Sequence, residues 1–541
     1  MSQPVSIPEK PSPPLRRAGF RFIASLLGLL PLLGVELGLR LAGVRPTGHD
    51  PFAEFGGNVP VFVQDGDSWS TNPAREPYLA QQSFRVTKPD RTRRVFCFGG
   101  STVHGRPFQP ATAFPAWLEL ELEQRDPDHD WEVINCGGIS YASYRIVPMV
   151  REAVTLAPDL IIVATGHNEF LEDRTYTAAK LRSPFLRAVD QLHLIQIARQ
   201  WLQPAPQSQK HEIELKTRLD ETSGYASYHR DPEWRRRVEQ QFADGLNEIA
   251  RTCAAADVPL VFVKLGSNLR DCPPYKSEHR SRLSPEQERE WLAAFEEATR
   301  LGTSSPETAL AAYRRALAID DQFALLHYRI ARLLDRSGST NAARHYLAAR
   351  DLDICPLRMT TELEAQLGTV AAAHRVPVVD VSGSGNPPAG FDRYLDHVHP
   401  TIGGHQQIAD RLIAGLEADG ALPPLGTLPA TERVVGRTRH FTRLGPRYFV
   451  NGQRRLEWLE NWARREKLAD EIAPVTAAEH FRLAVRKLDF GDFEGATRSF
   501  RRAIDASSPA MRDEIAGHAD AIEAQGRPRE AFQLRDWLAA I

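Results

Sequence analysis

VFCFGGSTVHG, Val95 to Gly105, is the stretch on which the fold turns. Its first four residues form an apolar run too short for a helix, and Gly99 and Gly100 close it with a turn. It therefore reads as a short buried strand, followed by a glycine turn and then a helix over roughly Phe114 to Gln124. Working outward, the alternation recurs. WEVIN (Trp131 to Asn135) is a second strand, followed by a helix from Tyr144 to Leu156. LIIVAT (Leu160 to Thr165) is a third, with the continuous β-branched character of a parallel strand buried on both faces. VPLVFVK (Val258 to Lys264) and VPVVDV (Val376 to Val381) supply a fourth and a fifth, each preceded by a helix. Five βα units predict an α/β fold: a five-stranded parallel sheet, doubly wound, with helices on both faces. Ligands of such sheets bind beyond the carboxyl ends of the strands, which is where chemistry is sought.

Composition limits what that fold serves. The chain has 541 residues, 42% hydrophobic and 25% charged, close to globular averages. Lys and Arg total 67 against 69 Asp and Glu, a net charge of −2, so no basic excess points to nucleic acid. Five cysteines without a CxxC pair exclude a disulfide-dense scaffold and a Cys-type zinc module. Cys97 and Cys136 fall in predicted buried strands, whereas Cys272 and Cys355 fall in loops where pairing is left open.

The N-terminus predicts a membrane anchor. After a Pro-rich tail (1–18), the run Phe22 to Leu39 would make a helix about 27 Å long, enough to cross a hydrocarbon core. Lys10, Arg16, Arg17 and Arg21 precede it and Arg40 and Arg45 follow, favouring a cytoplasmic N-terminus with the rest extracytoplasmic. A cleaved signal peptide is the rival, without a clear cleavage site. The expected organisation is an anchor at 19–43, an extension at 44–90, and a catalytic domain in three parts, 91–169, 236–285 and 356–420. A cap at 170–235 contains QPAPQSQ. A helical insertion spans 286–355, a connector 421–475 and a helical block 476–541. In the insertion, Ala309, Tyr313 and Ala316 recur as Ala342, Tyr346 and Ala349, the spacing that two packed helices need. Ala496, Phe500 and Ala503 repeat it. The pattern is similar to a tetratricopeptide repeat, and either simple helical hairpins or a partner-binding groove would satisfy it.

Four segments stand at the predicted strand ends: FGGSTVHG with Ser101, NCGGISYASYR, GHNEF with Asn168, and DHVHP with Asp396 and His399. Each has a job in acyl transfer. A serine hydroxyl needs a base, and His399 can be that base. Asp396, three residues earlier, can fix the imidazole tautomer. The amide of Asn168 and backbone N–H groups of the 137–140 turn can meet a developing oxyanion. Each segment alone is more often an ordinary turn or cap; their joint position at the ends of one sheet is the signal. A phosphate loop at Gly99, Gly100 and Gly105 lacks the GK[ST] it would need. A metal at His397-x-His399 lacks further ligands at a matching spacing.

The four segments resemble the blocks of SGNH hydrolases, also called GDSL-like esterases and lipases, over roughly residues 90–170 and 255–415. The resemblance implies a flavodoxin-like three-layer α/β/α domain, Ser101 as nucleophile, His399 as general base, Asp396 as its orienting acid and Asn168 as an oxyanion donor. The N–H of Ser140 takes the place of the family's second donor, with Gly138 as the alternative. Block one reads GGST rather than GDS. The whole resembles membrane-anchored bacterial members with tetratricopeptide repeats. It implies a serine esterase acting on an acylated small molecule, lipid or glycan, with no cofactor, no metal and no nucleic acid. The alternatives are an O-acyltransferase using the same residues, or a non-catalytic scaffold whose helices bind a protein partner.

Overall fold

Three short antiparallel strands come first, β1 (Phe62–Asp65), β2 (Ser68–Thr71) and β3 (Ser83–Arg85). They lie in the 44–90 region expected to be a plain extension. Strands of four, four and three residues are too short to carry a period-two pattern, which is why the sequence did not announce them. Phe62 and Phe84 meet edge to face at 5.0 Å, and both pack on Phe96 of the main sheet.

The computed structural model describes residues 30–31, 34–39, 59–172, 192, 217–221, 224–302, 304–383, 385–463 and 471–541. Contacts divide the chain into two compact units, residues 1–54 with 176–212 and residues 55–175 with 213–541. In the second, β4 (Thr92–Gly99), β5 (Asp130–Gly137), β6 (Leu160–Ala164), β7 (Leu260–Lys264) and β8 (Val378–Asp380) form one sheet in the order β5-β4-β6-β7-β8. All four pairings are parallel. This is the mixed α/β fold with a five-stranded parallel sheet that the apolar runs predict. The strand order reverses beside β4, so the ends of β4 and β6 flank the switch point where such sheets bind ligands.

Among the helices, α1 (Ser101–His104) follows β4 directly, then α2 (Phe114–Arg125), α3 (Ser143–Ala153) and α4 (Pro232–Ala255). In α2, Phe114, Trp117, Leu118, Glu121 and Leu122 are buried, the three-and-four spacing of a helix lying on a sheet. Asp231 caps α4 by accepting from the N–H groups of Glu233 and Trp234, with Pro232 in the first turn, where its missing N–H is no loss. The helix therefore begins inside the range expected to be a cap. Most of that range, 173–191, 193–216 and 222–223, lies outside the described residues.

Between β7 and β8 stand α5 (Pro285–Leu301), α6 (Pro306–Ile319), α7 (Ala324–Arg336), α8 (Ala342–Asp351) and α9 (Thr361–His374). After β8 come α10 (Ile402–Ala418), α11 (Ala430–Thr442), α12 (Pro446–Ala463), α13 (Ala477–Asp489), α14 (Phe493–Ala506), α15 (Ser508–Ala524) and α16 (Pro528–Ala539). The repeated residues Ala309, Tyr313, Ala316, Ala342, Tyr346 and Ala349 are all buried between helices. The two helical blocks meet ionically: Arg332 and Arg336 of α7 donate to Glu479 of α13 at 2.6 and 3.0 Å. Within the range expected to be a connector, Leu422 and, in α12, Leu456 join the cluster formed by the sheet and α2. All five cysteines are free, including Cys272 and Cys355.

The expectation of a single-pass anchor, and with it an extracytoplasmic catalytic domain, is corrected. Among the described residues no helix is long and apolar enough to cross a membrane. A span needs about 20 continuous helical residues. The run expected to supply it is described as helix only at 30–31 and 34–39, and its other residues lie outside the described set. It also holds Pro31, Gly34, Gly38 and a buried Glu36, none of which favours an uninterrupted apolar helix.

Candidate active site

The sheet places the predicted residues side by side. β4 ends at Gly99, and Gly100 turns the chain so that Ser101 opens α1. An added Cβ on Gly100 would lie 2.4 Å from Nδ2 of Asn168. Glycine there is what allows the Asn168 amide, carried just beyond β6, to close on the serine turn. The amide is held by donation to Tyr141 O at 3.0 Å. His399 arrives from the opposite side, on the turn leading into α10. Thr401 caps that helix by accepting from Gly404 N, which fixes where the turn ends.

Ser101 Oγ lies 2.7 Å from His399 Nε2, and His399 Nδ1 lies 2.6 Å from Asp396 Oδ2. The other Asp396 oxygen accepts from the N–H groups of Val398 and His399 at 3.0 and 2.9 Å. Burial pulls the Asp396 carboxyl up, but His399, His397 and these hydrogen bonds outweigh it and hold the group well below the ordinary carboxylate range. A carboxylate only accepts, so Nδ1 carries the ring proton and the Nε2 lone pair faces the serine hydroxyl. Asn268, fully buried after β7, donates from its side chain to Asp396 O at 2.9 Å and anchors the turn from behind. His397 and His399 cannot share a metal through the nitrogens that His399 directs at Asp396 and Ser101.

Of the two backbone donors considered, Gly138 is ruled out. Its N–H donates to Gly99 O at 2.9 Å, tying the turn to β4. Ser140 lines the same cavity as Ser101 and Asn168, at a positive φ of 61° that turns the chain at this point. Among the described residues its N–H has no protein acceptor, and neither has that of Ser101. Beneath the site, Glu169 accepts from Ser143 N and Oγ at 2.9 and 2.8 Å. Burial pushes its carboxyl up to about 7. This locks the start of α3 to the loop that carries Asn168.

The cavity over Ser101, about 210 Å³, has a second wall, whose tryptophans the sequence reading missed. It is formed by Trp458, Leu459 and Trp462 of α12, with Thr217 and Asp220. The signal was present as a Trp-x-x-x-Trp spacing, one helical turn apart, but nothing in it pointed towards Ser101. Arg106 also lines the cavity.

A parallel α/β sheet with an Asp, His and Ser in series at its carboxyl edge is the class of protein the coordinates define. No family model matches the chain, and no curated protein does. Among solved structures it is similar to an α/β hydrolase enzyme from the metagenome of Lake Arreo, Spain, at 14% identity, covering 61% of this chain and 97% of that one, TM-score 0.28. It is similar to a member of the lipolytic protein G-D-S-L family from Veillonella parvula at 10% identity, covering 60% and 97%, TM-score 0.27. An acetyl xylan esterase aligns at 10% identity over 60% and 99%, TM-score 0.27.

Proposed function

We propose that the protein is a serine esterase of the SGNH type that works through an acyl-enzyme on Ser101. The observation that carries the reading is the unbroken series Asp396–His399–Ser101, with contacts of 2.6 and 2.7 Å. His399 Nε2 takes the hydroxyl proton as Ser101 Oγ attacks the ester carbonyl. The imidazolium so formed is stabilised by the Asp396 carboxylate. The negative charge moves to the former carbonyl oxygen, where the Ser101 and Ser140 N–H groups and the Asn168 amide stand ready. Collapse expels the alcohol, which takes its proton from His399. Water, deprotonated by the same nitrogen, then releases the acid. The helical blocks are read as a tetratricopeptide-like surface for a protein partner.

The direct test is labelling with a fluorophosphonate, together with hydrolysis of 4-nitrophenyl acetate. The wild-type chain should take one label on Ser101 and cleave the ester. An unlabelled wild type, or a Ser101→Ala variant that labels equally, sinks the reading.

A further inference from the structure

The loop after β7 joins the turn that carries Asp396 and His399 to both helical blocks, through residues that are nearly consecutive. At one end stands Asn268, fully buried, which holds two successive carbonyls of that turn. Its backbone N–H donates to His397 O at 2.9 Å, and its Nδ2 donates to Asp396 O at 2.9 Å. The amide can point only one way, because its Oδ1 accepts from Asp271 N at 2.9 Å. Turned over, it would set oxygen against a carbonyl and NH2 against an N–H.

At the other end stands Asp271. Its carboxylate accepts from Arg482 Nε and Nη2 of α13 at 2.6 and 2.7 Å, a two-pronged pair that fixes both partners. Its Oδ2 also accepts from Phe391 N at 2.9 Å. An added Cβ on Gly390 would lie 2.1 Å from that oxygen, so glycine is what lets the carboxylate in. Between the two ends, Arg270 makes a second two-pronged pair with Asp335 of α7, at 2.6 and 3.0 Å. Arg358 braces the same loop by donating to Asn268 O and Cys272 O, both at 2.9 Å. Asp271 thus has two tasks: its carboxylate receives α13, and its N–H orients the amide that holds Asp396. A displacement of Arg482 reaches the partner of His399 through an unbroken series of hydrogen bonds.

We propose that Arg482 is a positioning residue for the reaction, acting through Asp271 and Asn268 on the backbone of Asp396. The inference rests on the esterase reading for its effect on rate, but the hydrogen-bond series can be tested without turnover. With 4-nitrophenyl acetate, Asn268→Ala keeps the backbone bond to His397 O and removes only the amide. It should lower kcat by about a hundredfold, the cost of a misplaced reacting group, with KM changed by less than about twofold. Arg482→Gln should lower kcat by about tenfold, and Arg482→Lys, which keeps the charge, should recover part of the loss. The double variant should be no slower than Asn268→Ala alone, since both substitutions break one series. Losses that multiply, a change in KM alone, or a wild-type kcat in Arg482→Gln overturns the proposal.

Deuterium exchange on the peptide containing Val398 and His399 needs no substrate, because both N–H groups donate to Asp396 Oδ1. Arg482→Gln should speed their exchange by about tenfold or more while β4 exchanges as in the wild type. Unchanged exchange in the turn, or equal loosening of β4, overturns the proposal, the second by making Arg482 a general support of the fold. Fluorophosphonate labelling keeps the two readings apart. A chain that labels on Ser101 but whose losses multiply keeps the esterase and loses the role of Arg482. A chain that takes no label, yet exchanges faster only at the turn in Arg482→Gln, keeps the series and loses the esterase.

Discussion

The cleft has two walls made by different means. One consists of loop residues at the carboxyl edge of the sheet, Ser101, Ser140 and Asn168, together with the turn that brings His399. Their spacing follows from strand register, with Gly99 level with both Gly137 and Ala164. The other is formed by α12 together with Thr217 and Asp220. Gly452 of that helix lies so close to Phe108 that an added Cβ would fall 2.3 Å from the ring. The proposed reacting groups sit at the ends of sheet strands, whereas the tryptophans opposite them are held by helix packing.

Four substitutions break or sharpen that contrast, the largest effect first. Ser101→Ala should lower ester hydrolysis by about ten-thousand-fold or more, leaving only what binding and the oxyanion donors provide. Steady-state rates with 4-nitrophenyl acetate read this; a loss under tenfold would remove Ser101 from the first wall. Gly100→Ala should cost about a hundredfold in kcat, because its methyl group displaces the Asn168 amide while the backbone φ of −88° tolerates alanine. An unchanged kcat would mean that the amide has no part in the reaction. Gly452→Ala should act on the second wall alone, destabilising the fold by about 2 kcal/mol through overpacking on Phe108. Thermal unfolding measures it, and kcat for a small ester should fall far less than in Gly100→Ala.

The smallest effect concerns acid. Glu479 is held down at about 2, where Arg332 and Arg336 outweigh the burial that would raise it from 4.5. A carboxylate depressed in the fold stabilises it above the unfolded value, and that contribution disappears as the pH falls from about 4.5 to about 2. The wild type should therefore lose on the order of 2 kcal/mol over that window from this group alone. Glu479→Gln should be less stable at pH 7 and show a flatter acid limb. Parallel limbs for the two chains would leave the contact between the helical blocks without thermodynamic weight.

The first wall was readable in the sequence because its information is local. An apolar run, a glycine turn and a serine, or an Asp three residues before a His, are written within a few positions of one another, and the doubly wound topology then decides where they converge. The five-stranded parallel sheet followed from that, and its strand ends are where Ser101, Asn168, Asp396 and His399 meet. The second wall was not readable, because Arg455 of α12 meets Pro107 and Phe108 across some 350 residues, and no spacing rule spans such a distance. The three short strands at 62–85 were silent for the opposite reason, since each is too brief to show its period. Gly138 failed as a donor because its N–H goes to Gly99, a contact visible only once β4 and β5 pair.

Arg486 of α13 donates to Leu395 O at 2.5 Å, one residue before Asp396, and its guanidinium covers the Phe391 ring at 4.6 Å. The clasp on the turn is thus translated 91 positions after the carbonyl it grips. A nascent polypeptide halted at the end of α12 would already possess every reacting group and still lack the arginine that pins their turn. The turn that carries Asp396 is therefore pinned only after α13 has been translated.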